Sequence, residues 1–197
     1  MKRLKGLVVG VGGQGIILFT RALGEACLRE NIPIILSEVH GMAQRGGIVE
    51  SSITIYGNSP YTSEGEADFL IAFEPVEALR AIRRVKRDGT LLISEDPVLP
   101  LAVKEGLTTY PDLKPFLEEI KGYFSKIFLV PGEKLAKEAG SSKTLNIVLL
   151  GAASALNLFP VSTEKLKESL LALIPLKFHE INLKAFDLGF NYIRNLG

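Results

Sequence analysis

The chain has 197 residues, 47% of them hydrophobic and 23% charged, and 23 Lys and Arg against 22 Asp and Glu leave a formal net charge of +1. That length suits one domain over residues 1–197, and the composition is that of a globular protein. So balanced a charge gives no support to nucleic-acid binding, which needs clustered cations to neutralise backbone phosphates. No apolar run reaches the ~18–20 residues needed to cross a bilayer. The basic start Met1-Lys2-Arg3-Leu4-Lys5 passes into glycines too soon for a secretory signal. A cytoplasmic protein with no membrane partner is therefore expected. The single cysteine, Cys27, rules out an internal disulfide and a cysteine-ligated cluster held by this chain alone. His40 and His179 form no spaced ligand set with nearby carboxylates, so no metal site is expected.

A first strand over about Gly6–Val9 feeds the run Gly10–Gly15. Beyond it Ile16, Phe19, Leu23 and Cys27 recur at three- and four-residue steps, as in a helix with one face on a sheet. Cys27 reads as a small core residue of that helix, with no chemistry. Asn31 and Pro33 end the helix, and Ile34-Ile35-Leu36 form a buried second strand that runs out at Ser37-Glu38. Val49, Ser51, Ile53 and Ile55 then alternate with Glu50, Ser52, Thr54 and Tyr56, the pattern of a half-covered strand near the sheet edge. The link from the second strand is too short for a crossover helix, so this pair should be antiparallel.

Phe69-Leu70-Ile71-Ala72-Phe73 reads as a central strand, and Pro75 opens a helix over Val76–Arg87 that Gly89 stops before a strand at Leu91–Ile93. Between Val98 and Lys126 the pattern weakens to a short edge strand at Thr108–Tyr110 and a surface helix at Leu113–Tyr123. Ile127–Val130 is one more strand, followed by a short helix from Pro131-Gly132-Glu133 to Gly140. The last third is helical. Leu145–Leu156 is apolar on nearly every side, with small residues Gly151, Ala152, Ala153, Ser154 and Ala155, and is buried either by its own domain or by a partner subunit. Ser162 or Thr163 caps a helix carrying Leu166, Leu170 and Leu173, and a final helix spans Ile181–Ile193. The fold class is α/β: a three-layer, Rossmann-like, mostly parallel sheet with helices on both faces and a helical C-terminal third.

Gly10, Gly12 and Gly15 fit G-x-G-x-x-G at a strand-to-helix bend, and Glu38 closes the second strand where a ribose-binding carboxylate is expected. A free-standing NAD(P)- or FAD-binding oxidoreductase is thus one reading. More generally, backbone N–H groups from Val11 to Gly15 at a helix N-terminus make an anion-accepting concavity, to which Gln14 adds a side-chain amide. Glycines there can equally serve tight packing alone. The next segment, His40 to Gly47, is a dense polar and glycine-rich turn that a simple dinucleotide fold does not need. Arg45, flanked by Gly46 and Gly47, suits bidentate pairing with a phosphate or carboxylate, or an internal ion pair. His40 suits a structural hydrogen bond or proton transfer, and Glu38 could orient His40 or Arg45. Arg80, Arg83, Arg84, Lys86 and Arg87 make a basic helix end, either a solvated face or a docking surface for phosphates or an acidic partner.

The two segments together, Gly-Val-Gly-Gly-Gln-Gly at 10–15 and Ser-Glu-Val-His-Gly-Met-Ala-Gln-Arg-Gly-Gly at 37–47, resemble the gamma-type domain of 2-oxoacid:ferredoxin oxidoreductases. Within that family they look most like the beta subunits of the indolepyruvate-type enzymes. Ala67-Asp68, Asn146, Asn182, Ala185, Phe186 and Gly189 extend the resemblance over nearly the full length. It implies a subunit that carries neither thiamine nor an iron–sulfur cluster. The whole enzyme would decarboxylate an aryl 2-oxoacid, pass the acyl group to coenzyme A and reduce ferredoxin, with no activity in this chain alone and no catalytic residue of its own.

Thiamine diphosphate, Mg and iron–sulfur clusters would then sit on a larger partner subunit, in keeping with the absence here of a Gly-Asp-Gly magnesium loop and of further cysteines. Gly10, Gly12, Gly13, Gln14, Gly15, Glu38, His40, Gln44, Arg45, Gly46 and Gly47 would meet at that partner. They would face a coenzyme A phosphate, a thiamine phosphate presented by the partner, or a partner carboxylate. Ferredoxin would be reached through the complex, and the small-residue helix would offer a homodimer contact. A ligand-free assembly subunit is the remaining alternative.

Overall fold

The computed structural model describes residues 2–41 and 47–196. Six strands, β1 (Leu4–Val11), β2 (Ile34–His40), β3 (Ile48–Ile55), β4 (Ala67–Ala72), β5 (Val85–Ser94) and β6 (Lys126–Val130), lie in the order β2-β3-β1-β4-β5-β6. β1, β4, β5 and β6 run parallel, whereas β3 is antiparallel to both β1 and β2. The mostly parallel sheet and the antiparallel β2–β3 pair match the sequence pattern. β3 is not the edge strand, however. It lies between β1 and β2, and β2 takes the edge.

Side-chain alternation divides the core into the expected layers. Val8, Phe69, Ile71, Phe73 and Leu92 pack beneath α1 (Ile16–Arg29), α5 (Gly132–Ala139), α6 (Leu145–Ala155), α7 (Thr163–Leu173) and α8 (His179–Arg194). Leu7, Val9, Leu70, Ala72, Leu91 and Ile93 pack on the opposite face beneath α2 (Pro75–Ala81) and α4 (Lys114–Lys121). A short α3 (Leu101–Lys104) lies between β5 and α4. On the α1 side Phe19, Phe69, Phe73 and Phe159 meet edge to face, with ring centroids 5.4 to 6.2 Å apart.

The helix expected to run to Arg87 ends at Ala81. A single 3₁₀ turn over Ile82–Arg84 leads directly into β5, where Val85 is buried opposite Ala67. Lys86 and Arg87 are therefore strand residues, and Gly89 sits inside β5 beside a register shift against β4 rather than capping a helix. Nearby acids claim the cations: Arg84 pairs with Glu50 of β3, Lys86 with Asp68 of β4, and Arg80 with Glu77 of its own helix at 2.9 Å. Three of the five are thus paired within the chain; among the described residues Arg83 and Arg87 have no acidic partner, and two cations make a weaker docking patch than five. Thr108–Tyr110 forms no strand; the Tyr110 hydroxyl instead donates to Glu74 at the end of β4.

The small residues of α6 are accounted for inside the chain. Every residue from Asn146 to Ala155 is buried, chiefly against α8. At Gly151 a Cβ would collide with the carbonyl oxygen of Phe186, and at Gly189 with that of Val148, so the two helices meet backbone to backbone. The self-association inferred from this stripe loses its basis, because α6 presents no free face. Gly151→Ala or Gly189→Ala should destabilise the protein by about 1–3 kcal/mol or more, since backbone rather than a flexible side chain must yield. Thermal unfolding of either variant should show it, at about 2–4 °C per kcal/mol for a chain of this size.

Candidate functional site

The chain leaves β1 through α1 toward the β2 edge, and leaves β4 through α2 toward β5. At this reversal the loops after β1 and β4 part and open a crevice at the C-terminal ends of the strands, the usual ligand position in such sheets. Gln14 bridges it. Its Oε1 accepts from Val11 N at 2.8 Å while its Nε2 donates to Phe73 O at 2.9 Å, and Phe73 N donates to Val9 O at 2.8 Å. The Gln14 amide, expected to face a ligand, is largely spent stapling the end of β1 to the end of β4. Gly10 has no room for a side chain because a Cβ would lie 2.6 Å from Gln14 Oε1 and 2.8 Å from Phe73 Cβ.

The two sequence motifs do meet: Gly12 N donates to Gly47 O at 2.8 Å, and Gly41 N to Ile48 O at 2.8 Å closes the neck of the β2–β3 connection. Gln44, Arg45 and Gly46 lie outside the described residues. With Gln14 N also bound to Val11 O at 3.2 Å, three of the five loop N–H groups are used within the fold. Those of Gly13 and Gly15 have no partner among the described residues, so the anion cradle is narrower than the glycine run implies. Gly13 adopts φ 99° with open space around it, and Gly15, at φ 80°, begins α1 without a side-chain cap.

Behind the loop stands Asn146, in the first turn of α6. Its Nδ2 donates to Gly15 O at 3.2 Å, occupying the space a Cβ on Gly15 would need. Its Oδ1 is buried with no partner among the described residues. Such an orphaned acceptor costs about 1–3 kcal/mol. The sequence marked Asn146 only through the family resemblance, since nothing in a helical periodicity shows a contact across 131 residues.

Three clefts border the loop. One of about 530 Å³ is lined by Gly12, Gly13, Gly15, Ile16, Ile17, His40 and Gly41. A second, about 440 Å³, joins Gly13 and Gln14 to Asp96, Lys104, Ser142 and Lys143. A third, about 720 Å³, runs from Gly12 along Glu74, Glu77, Arg80 and Tyr110. His40 thus reaches the loop, while Glu38 is turned to a local task. Its Oε1 accepts from Thr20 Oγ1 of α1 at 3.3 Å, and its Oε2 lies 3.6 Å from His40 Nε2. With β3 between β1 and β2, Glu38 stands about 5 Å further from the loop than an adjacent strand would place it, so the ribose role has no geometric basis.

In the third cleft Glu74 Oε2 caps α2 by accepting from Glu77 N at 3.0 Å, and its other oxygen accepts a hydrogen bond from the Tyr110 hydroxyl. Burial, together with the hydrogen bond and negative charge of Glu74, pushes the Tyr110 hydroxyl upward. Burial and then the charge of Glu74 likewise raise Glu77, against the pull of Arg80. Cys27 is pushed up to about 12 by burial and is inert. Among the described residues no group of three or more His, Cys, Asp or Glu could hold a metal ion. Cys27 is the single cysteine of the chain, too few to ligate an iron–sulfur cluster by itself.

The fold and loop define an α/β protein with a glycine-rich, Rossmann-like turn between its first strand and helix. The family model described as pyruvate ferredoxin/flavodoxin oxidoreductase matches residues 6–192. This chain belongs to that family. It is 41% identical over 193 residues to indolepyruvate oxidoreductase subunit IorB of Pyrococcus horikoshii, covering 96% of this chain and 95% of the relative. It is 26% identical to 2-oxoglutarate synthase subunit KorC of Methanothermobacter thermautotrophicus, covering 92% and 90%. Among solved structures, the gamma subunit of a keto/oxoacid ferredoxin oxidoreductase from Geobacter sulfurreducens superposes with TM-score 0.71 at 26% identity, over 98% of this chain and 99% of that one.

Two measurements follow. Gln14→Ala leaves Val11 N and Phe73 O without partners and should lower stability by about 1–3 kcal/mol in urea unfolding of the isolated chain. An amide serving only a ligand would leave it unchanged. Because the folded-state affinity of Glu77 for its proton is raised, the native state binds more protons than the unfolded chain just above pH 4.5, and stability falls as pH rises through that window. Glu77→Gln should flatten this fall, as read from unfolding curves between pH 4 and 7.

Proposed function

We propose that the chain is the small subunit of an indolepyruvate-type, aryl 2-oxoacid:ferredoxin oxidoreductase of the cytoplasm. The glycine loop and the segment up to Gly47 form one wall of a site completed by a larger subunit. The observation that carries the proposal is the bond from Gly12 N to Gly47 O, which joins the two motifs around clefts bordered by His40 on one side and Lys104 and Lys143 on the other. The substrate class is supported by the relatives: subunits named for indolepyruvate are 33–41% identical, those named for 2-oxoglutarate 26–27%.

The larger subunit carries the thiamine diphosphate, Mg and iron–sulfur clusters and passes electrons to ferredoxin. This chain supplies backbone donors and cations. The N–H groups of Gly13 and Gly15, unpaired among the described residues and backed by the α1 dipole, hold a coenzyme A phosphate at the interface. A structure of a 2-oxoglutarate:ferredoxin oxidoreductase from Magnetococcus marinus with coenzyme A bound contains the same fold within a longer chain, of which this chain covers 32%. The free-standing NAD(P)- or FAD-binding reading has lost its ribose carboxylate.

Co-expression with the larger subunit should give 2-oxoacid- and coenzyme A-dependent ferredoxin reduction, and neither chain alone should turn over. Full turnover by this polypeptide by itself would overturn the proposal. Gly13→Ala places a side chain at φ 99° without a clash. It should raise the KM for coenzyme A by about tenfold while the chain stays folded.

A further inference from the structure

The Gly15–Ile16 peptide is held from behind by two donors. Gly15 O accepts from Phe19 N at 3.1 Å, the first hydrogen bond of α1, and from Asn146 Nδ2 at 3.2 Å. The peptide is trans, so the Ile16 N–H points opposite to the Gly15 carbonyl, away from α6, and Ile16 lines the 530 Å³ cleft. A carbonyl that accepts twice is more polarised, and its own peptide N–H becomes the stronger donor. Asn146 therefore fixes both the direction and the strength of a donor it does not itself carry.

The amide orientation is dictated by chemistry: turned over, Asn146 would set its oxygen against Gly15 O. The consequence is an Oδ1 left buried without a donor, in a residue only 3% exposed. An apolar residue of similar shape would pack at this position without that penalty. We infer that Asn146 is a positioning residue of the glycine-loop site, retained for anion binding at the expense of stability. The inference rests on the loop acting as the coenzyme A-facing wall.

The test uses the complex with the larger subunit and coenzyme A as probe. Asn146→Leu should leave the melting temperature of the chain unchanged or raised, yet increase the KM for coenzyme A by about tenfold with kcat within twofold, the mark of lost uniform binding. Asn146→Asp, which keeps the shape, removes the donor and adds negative charge behind the loop, should raise KM further still. A merely structural Asn146 predicts that melting temperature, KM and kcat worsen together, and that result would overturn the inference. If Gly13→Ala raises KM but Asn146→Leu does not, Asn146 has no positioning role while the loop keeps its function. If neither changes KM, the coenzyme A-facing loop and the role of Asn146 fall together.

Discussion

The antiparallel insertion of β3 between β1 and β2 is the constraint from which the site follows. Backbone pairing along both its edges fixes Ile48 opposite Val11 and Val49 opposite His40, so the ends of three strands are brought level. That level end carries the glycine loop, His40 and Gly47 side by side. Without β3 in this place, the second strand would pair with β1 as in a dinucleotide-binding fold, and Glu38 would come round toward the loop. Inserted, β3 exchanges a ribose carboxylate for a polar rim in which Glu38 serves His40 and Thr20.

The loop is accordingly built as a braced structure. Gln14 ties it forward to β4, Gly47 ties it sideways to β3, and Asn146 ties it backward to α6. The first two ties use polar groups that the sequence presented as available, the Gln14 amide and the Gly12 N–H. What the loop itself offers the clefts is peptide N–H, from Gly13 and Gly15, held in place by these ties, while His40, Lys104 and Lys143 stand around it. Such preorganisation suits an anion brought in by another molecule, because little ordering remains to be done when it arrives.

Much of the fold was legible because local rules are strong where apolar periodicity is strong. The strands β1, β4 and β6 and the helices α1, α6, α7 and α8 stand close to their expected places, and Ser162 caps α7 as its position suggests. The boundary between α2 and β5 was not legible, since Arg83 to Arg87 favour a helix end locally. What decides it is the buried pairing of Val85 with Ala67 and the acids Glu50 and Asp68, which lie far away in sequence. The same holds for the site. The glycines and His40 could be picked out from the chain, but the use of Gln14, the staple through Phe73 and the link between Tyr110 and Glu74 are facts of the third dimension alone.

The bond from Asn146 to Gly15 spans 131 residues, and α6 itself packs chiefly against α8, a helix later still in the chain. A ribosome therefore releases the glycine loop well before the helices that brace it. Until they are made, the Gly15 carbonyl has the Phe19 donor but lacks that of Asn146. The brace is thus finished only when α6 and α8 have docked, so a nascent chain that stops short of them offers a glycine loop that is not yet held in place.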